Sequence, residues 1–242
     1  MLQTFLSHRK GGLVNRFGGK EHWNFYDWST YAEGTLGENQ GKTPDLFINC
    51  LFVLALENVK YIAEKLGETF AYEKEIRETR EAAQEAFFVA EDGAFTAERD
   101  EKKYTVLGNA LAILSGVAAG ETAKTVCEKI AKGKMQDCSL SMKTFKYDAL
   151  LKCDKAKYQS AVLEEIRQDY EKMLAAAQRA YGKRRTERRR LTTRAACATD
   201  GARFRLCISK HYCGCKMKTK RLSKKIKEKG RRKAFSLPEF SE

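Results

Sequence analysis

Apolar residues recur at steps of three and four through the first 177 residues of this chain, and a chain with that period can bury itself only as packed helices. From about Pro44 to Gly67, Leu46, Cys50, Val53, Leu54, Val59, Ile62 and Leu66 fall on such steps, with Leu51 and Leu56 between them, which predicts a long, mostly buried helix. From roughly Ala71 to Ala90, Tyr72, Ile76, Ala83 and Phe87 share one side and charged residues the other, so an amphipathic helix meets water there. Asp92-Gly93 marks a turn. Val106–Ser115 is apolar nearly all round, and its small residues let neighbouring helices come close, so it belongs inside. Glu121–Lys132 carries Ala123, Val126 and Ile130 on a stripe, and Met142–Leu151 follows. Lys155 to about Ala177 then places Tyr158, Val162, Ile166, Tyr170 and Leu174 at successive i+4 steps.

With only two prolines and short glycine-marked turns, these segments predict an all-α array of helical hairpins. Buried and amphipathic helices partly alternate, as in a double-ring helical barrel. A simple bundle or a solenoid of hairpins gives much the same pattern, and no fixed repeat length is visible.

Near Ala177 the periodic text stops. Residues 178–242 hold 22 Lys+Arg against 5 Asp+Glu, a net +17, whereas the whole chain is +14 and residues 1–177 are therefore −3. Taken as it stands, Lys183–Arg190 and Lys216–Lys233 resemble basic arms that bind phosphate backbones, so one reading is a helical-repeat module with a nucleic-acid-binding arm. Charge this dense and unpatterned is expected to leave the tail disordered and only non-specifically adhesive. Cys207, His211, Cys213 and Cys215 lack the paired ligand units of a structural zinc site, and no metal or other cofactor is expected.

Met1–Gly19 carries no apolar run long enough for a signal peptide, and no stretch downstream is expected to span a bilayer. A soluble, cytoplasmic protein is the expectation. Cys50, Cys127, Cys138 and Cys153 have no metal-ligand spacing and are expected to be buried free thiols without a disulfide framework.

Candidate chemistry concentrates in Lys20-Glu-His-Trp-Asn-Phe-Tyr-Asp-Trp28, which packs four aromatics and two acids into nine residues. Flat apolar faces beside hydrogen-bond acceptors suit a sugar, whose C–H faces stack while its hydroxyls bond. The same composition also suits an aromatic plug closing a helical core, with His22 merely hydrogen-bonded.

From about Phe17 to Ala177, through Gly18–Trp28, Leu107–Gly116 and Ser139–Leu150, the chain resembles the six-hairpin glycoside hydrolases of the α-L-rhamnosidase type. The resemblance implies part of a catalytic barrel of twelve helices in two rings around a sugar site lined by an aspartate–tryptophan pair. Asp27 and Trp28 match that pair, and Trp23, Asp27 and Trp28 are the expected substrate contacts, to a rhamnoside-type carbohydrate. It also implies an inverting mechanism, in which a general acid and a general base stand about 6.5–9.5 Å apart. The acid-bearing segment is expected upstream of this chain's start, and the base at a Trp-Glu step replaced here by Gly182 and Lys183, so no catalytic residue is expected. Read from the third base of each codon, Tyr181–Lys183 and Arg194–Arg205 are compatible with the family's missing Trp-Glu and Cys-His-Gly-Trp stretches. The tail from about residue 176 therefore reads as an out-of-frame translation. The organisation expected is an irregular segment 1–19, a partial six-hairpin domain 20–177 and a basic tail 178–242. In a half ring, inner helices such as Val106–Ser115 would lack a partner on one side.

Overall fold

The computed structural model describes residues 2–19, 22–32, 43–99 and 101–184, with side chains described as far as residue 176. In chain order these hold α1 (Leu2–Ser7), β1 (Arg9–Lys10), β2 (Leu13–Val14), α2 (Leu46–Leu66), α3 (Glu73–Phe87), β3 (Phe88–Val89), β4 (Ala94–Phe95), α4 (Val106–Ser115), α5 (Gly120–Ala131), α6 (Lys143–Cys153) and α7 (Lys155–Arg184). The all-α expectation holds, with two short antiparallel hairpins, β1–β2 and β3–β4, set between helices. Met1–Tyr181 forms one compact unit. From residue 185 onward the basic tail, with Cys207, His211, Cys213 and Cys215, lies outside the described residues.

α4 is central to the unit: it packs on both α2 and α6, and it also meets α5 and β4. α3 lies against α2, and α5 bridges α4 and α6. One apolar core runs through this array, from Leu46 and Phe47 through Phe95, Leu107 and Leu111 to Ile130, Tyr147 and Val162. Each such side chain removed from water contributes about 1.5–3 kcal/mol. α2 and α4 approach closely at Gly108, where an added Cβ would lie 2.9 Å from Thr105 Oγ1 and 3.2 Å from Leu46 Cδ2. The small residue in that helix is therefore required by the crossing.

The starts of α2 and α4 share one device. Asp45 caps α2 by accepting from the Ile48 N–H at 2.8 Å, and Thr105 caps α4 by accepting from the Gly108 N–H at 3.1 Å. One turn into α2, buried Asn49 accepts from the Val14 N–H at 2.8 Å and donates to the Val14 and Asp45 carbonyls. One turn into α4, Asn109 accepts from the Phe95 N–H at 2.8 Å and donates to the Phe95 and Thr105 carbonyls. Each asparagine thus fastens a two-residue strand to the first turn of a helix. Backbone bonds link these starts onward: the Leu46 N–H donates to Ala97 O at 3.0 Å and the Val106 N–H to Gln136 O at 2.8 Å.

Several expectations are corrected. Residues 2–19 are not irregular: α1 and the β1–β2 hairpin seat Phe5 and Phe17 beside Val14, Phe52 and Ile76 in a second apolar cluster. α4 does not face open space, because its neighbours bury nine of its ten residues. The exposed apolar face belongs to the last turns of α2, where Tyr61, Ile62 and Leu66 are exposed, so that helix is buried only in its first half. By length and composition Leu46–Leu66 could also cross a membrane, although no stretch was expected to approach that, and its first half is core. Finally, Cys127 on α5 and Cys153 at the end of α6 are joined as a disulfide, while Cys50 and Cys138 are free and buried. Helix packing, which spacing along the chain does not encode, sets those two sulfurs side by side.

Candidate functional site

Beyond the β1–β2 hairpin, residues 17–19 and 22–32 are shaped by their own polar side chains. Asn24 accepts from the Phe17 N–H at 3.1 Å and donates back to Phe17 O at 2.9 Å, closing a loop. His22 sits on that loop with its ring near Gly18 O at 3.2 Å and stacked on Phe17, so it serves as a hydrogen-bonded loop residue. Farther on, the Tyr26 and Asp27 N–H groups both donate to Ala32 O, at 3.2 and 3.0 Å. The tight return this requires places Tyr31 at φ +70°, a left-handed conformation that non-glycine residues rarely adopt.

From this loop, side chains go in two directions, Tyr26 and Asp27 inward and Trp23 and Trp28 outward. Tyr26 turns inward, stacks on Phe47 at 4.6 Å and donates its hydroxyl to Asp45 at 2.7 Å. Asp45 also accepts from Arg16 at 2.8 Å, and Arg16 reaches Glu98 at 2.9 Å, so one charged cluster binds the loop to the start of α2. Asp27 turns inward as well and is 1 % exposed. Its carboxylate accepts from the Ser29 hydroxyl at 2.6 Å, from the Ser139 N–H at 2.7 Å and from the Ser139 hydroxyl. Burial alone would raise this carboxyl's pKa, but the Ser139 and Ser29 bonds and one from the Trp28 backbone hold it below the ordinary aspartate range. Asp27 is ionised and fully engaged.

Trp23 and Trp28 point the other way. Trp28 is 72 % exposed and Trp23 46 %. Phe25 lies 4.6 Å from each indole, centroid to centroid, and the two indoles are 5.8 Å apart, so the three rings form one patch. Tyr31, also exposed, has the Lys103 ammonium 5.6 Å from its ring. Such a patch offers apolar faces to a flat ligand, with hydrogen-bonding groups at its margin.

Of the three residues singled out in the sequence, Trp23 and Trp28 therefore share a surface, while Asp27 lies beneath it and anchors it to the Gln136–Met142 loop through Ser139. Asp27 and Trp28, neighbours in the chain, thus point to opposite faces, Asp27 buried and Trp28 exposed. Reading the segment alone also missed Phe25 as the link between the indoles and Ser139 as the anchor. Ser139 opens one of the three segments that carry the resemblance, and that was the available signal. Cys138, next to it, is held as an inert thiol, with burial and the nearby Asp137 and Asp27 pushing its pKa up to about 12. Among the described residues no group of three or more His, Cys, Asp or Glu is arranged to hold a metal ion.

No family model and no curated protein matches this chain. Among solved structures, it is similar to the crystal structure of a GH78 family rhamnosidase of Bacillus sp. GL1, with 25% sequence identity and a TM-score of 0.60. The match covers 72% of this chain and 18% of the rhamnosidase chain. The helical array described above is thus similar to part of a much longer glycosidase.

Proposed function

We propose that this chain forms a sugar-binding wall of a rhamnosidase-like glycosidase barrel, with Trp23, Phe25 and Trp28 as the platform for a terminal α-L-rhamnoside or a related glycan. One observation carries the reading: two solvent-exposed indoles joined through a half-buried phenyl ring, on a loop whose buried aspartate is spent on holding them in place. A deoxy sugar presents a methyl group and apolar C–H faces, which stack on indole and phenyl rings.

Binding is the activity assigned to this chain; hydrolysis is not. Inverting cleavage needs one carboxyl group to deliver a proton and another to activate water. Asp27 can do neither while Ser29 and Ser139 occupy it, and Gly182 and Lys183 replace the glutamate step that the resemblance calls for. From about residue 176 the chain is read as an out-of-frame tail that contributes nothing to the platform. Titration calorimetry of the full chain with methyl α-L-rhamnoside tests the reading. Saturable binding that Trp28→Ala abolishes supports it. Absence of saturable binding sinks it, and so does cleavage of an aryl rhamnoside that disappears in Asp27→Asn.

A further inference from the structure

The pairing of Cys127 with Cys153 lies outside this function, yet it reaches the platform through one rigid element. Cys153 is the last residue of α6. At the other end of that helix, the Phe145 N–H donates to Met142 O and the Met142 N–H to Ser139 O, at 3.1 and 3.0 Å. Ser139 in turn holds Asp27 with both its amide and its hydroxyl. An 11-residue helix, about 16 Å long, therefore joins the disulfide to the anchor of the aromatic patch. The 26-residue separation closed by the disulfide contains the whole Gln136–Met142 loop.

We propose that Cys127–Cys153 is a thiol–disulfide switch that fixes α6 on α5 and so sets the rigidity of the Ser139–Asp27 anchor; its effect on sugar binding rests on the function proposed above. The two sulfurs differ in access, since Cys127 is 1 % exposed and Cys153 is half-buried. Exchange with a small-molecule thiol such as glutathione accordingly begins at Cys153. A glutathione thiolate attacks Cys153 Sγ, the Cys127–Cys153 bond breaks, and its electron pair leaves on Cys127 Sγ, which takes a proton. A second glutathione thiolate attacks the mixed disulfide, releasing the Cys153 thiol and one oxidised glutathione. Oxidation by oxidised glutathione is the reverse.

The test uses the full chain, equilibrated in oxidised or in reduced glutathione, then quenched, alkylated and mapped by mass spectrometry, with hydrogen exchange measured on parallel samples. In oxidised buffer the peptides bearing Cys127 and Cys153 should be recovered cross-linked, and in reduced buffer alkylated at both sulfurs. The Gln136–Met142 amides should exchange roughly ten-fold faster after reduction. Cys153→Ser, which leaves the buried Cys127 packing untouched, should exchange at the reduced rate in both buffers. Full alkylation of both cysteines in oxidised buffer overturns the switch. Identical exchange in the two redox states, or a Cys153→Ser variant as protected as the oxidised protein, overturns its coupling to Ser139. None of these readouts requires sugar to bind, so a failure here is distinguishable from a failure of the functional reading.

Discussion

Asn49 and Asn109 are equivalent: each lies four residues beyond a helix cap, and each closes the same pair of bonds to one residue of a short strand while tying its amide back to the cap carbonyl. The repeated bond set reveals a repeating unit of strand, cap and helix that no constant spacing betrays. Replacing Asn109 by Leu keeps the volume but strands the buried Phe95 amide and carbonyl, at a cost of about 2–4 kcal/mol. Urea unfolding of Asn49→Leu and Asn109→Leu should show similar losses, and a loss below about 1 kcal/mol in both would mean the units do not depend on this bond.

Gly108→Ala sets intrinsic helix propensity, which favours Ala by about 1 kcal/mol, against the α2–α4 crossing. The new Cβ would meet the capping Thr105 hydroxyl at 2.9 Å and Leu46 and Phe47 at 3.2 and 3.4 Å. Overpacking prevails, and thermal unfolding should report a net destabilisation of about 1–3 kcal/mol.

The Asp27 carboxyl is held below its ordinary range by its serine partners, despite burial. A depressed folded pKa adds stability that is present above the unfolded value, about 3.9, and is lost as pH falls through the folded one. Between pH 7 and pH 3, Asp27→Asn and Ser139→Ala should therefore lose less stability than the parent chain, measured as the difference in melting temperature. A parallel fall in all three proteins would rule out Asp27 as a contributor to acid sensitivity.

Under oxidising conditions the Cys127–Cys153 link limits the unfolded chain across its 26-residue separation. Loop-closure arithmetic puts that at about 3.5 kcal/mol. Cys153→Ser should melt lower than the parent in oxidised buffer and together with it in reduced buffer.

Much of the helical frame was legible in the sequence because a helix buries every third or fourth residue wherever it sits. Val106–Ser115 was placed to the residue from its apolar run, and in the structure Thr105 caps its start and Gly116 supplies a left-handed stop at its end. The hairpins were not legible. Strands of two residues carry no period, and β2 is held by Asn49, 35 positions away. The platform was half legible: tryptophans beside an aspartate announced a site, but which way Asp27 turned depended on Ser139, 112 positions further on. The cysteines followed the same rule, since a partner on a neighbouring helix is invisible until the helices are packed.

The aromatic patch has a spectroscopic consequence. Tryptophan occurs twice in the chain, and both indoles belong to that patch. Their emission is therefore a local probe of one surface loop, silent about the helical core. A ligand settling on the rings should change its colour and its accessibility to soluble quenchers, whereas melting of α4 or α6 with the loop intact would pass unseen.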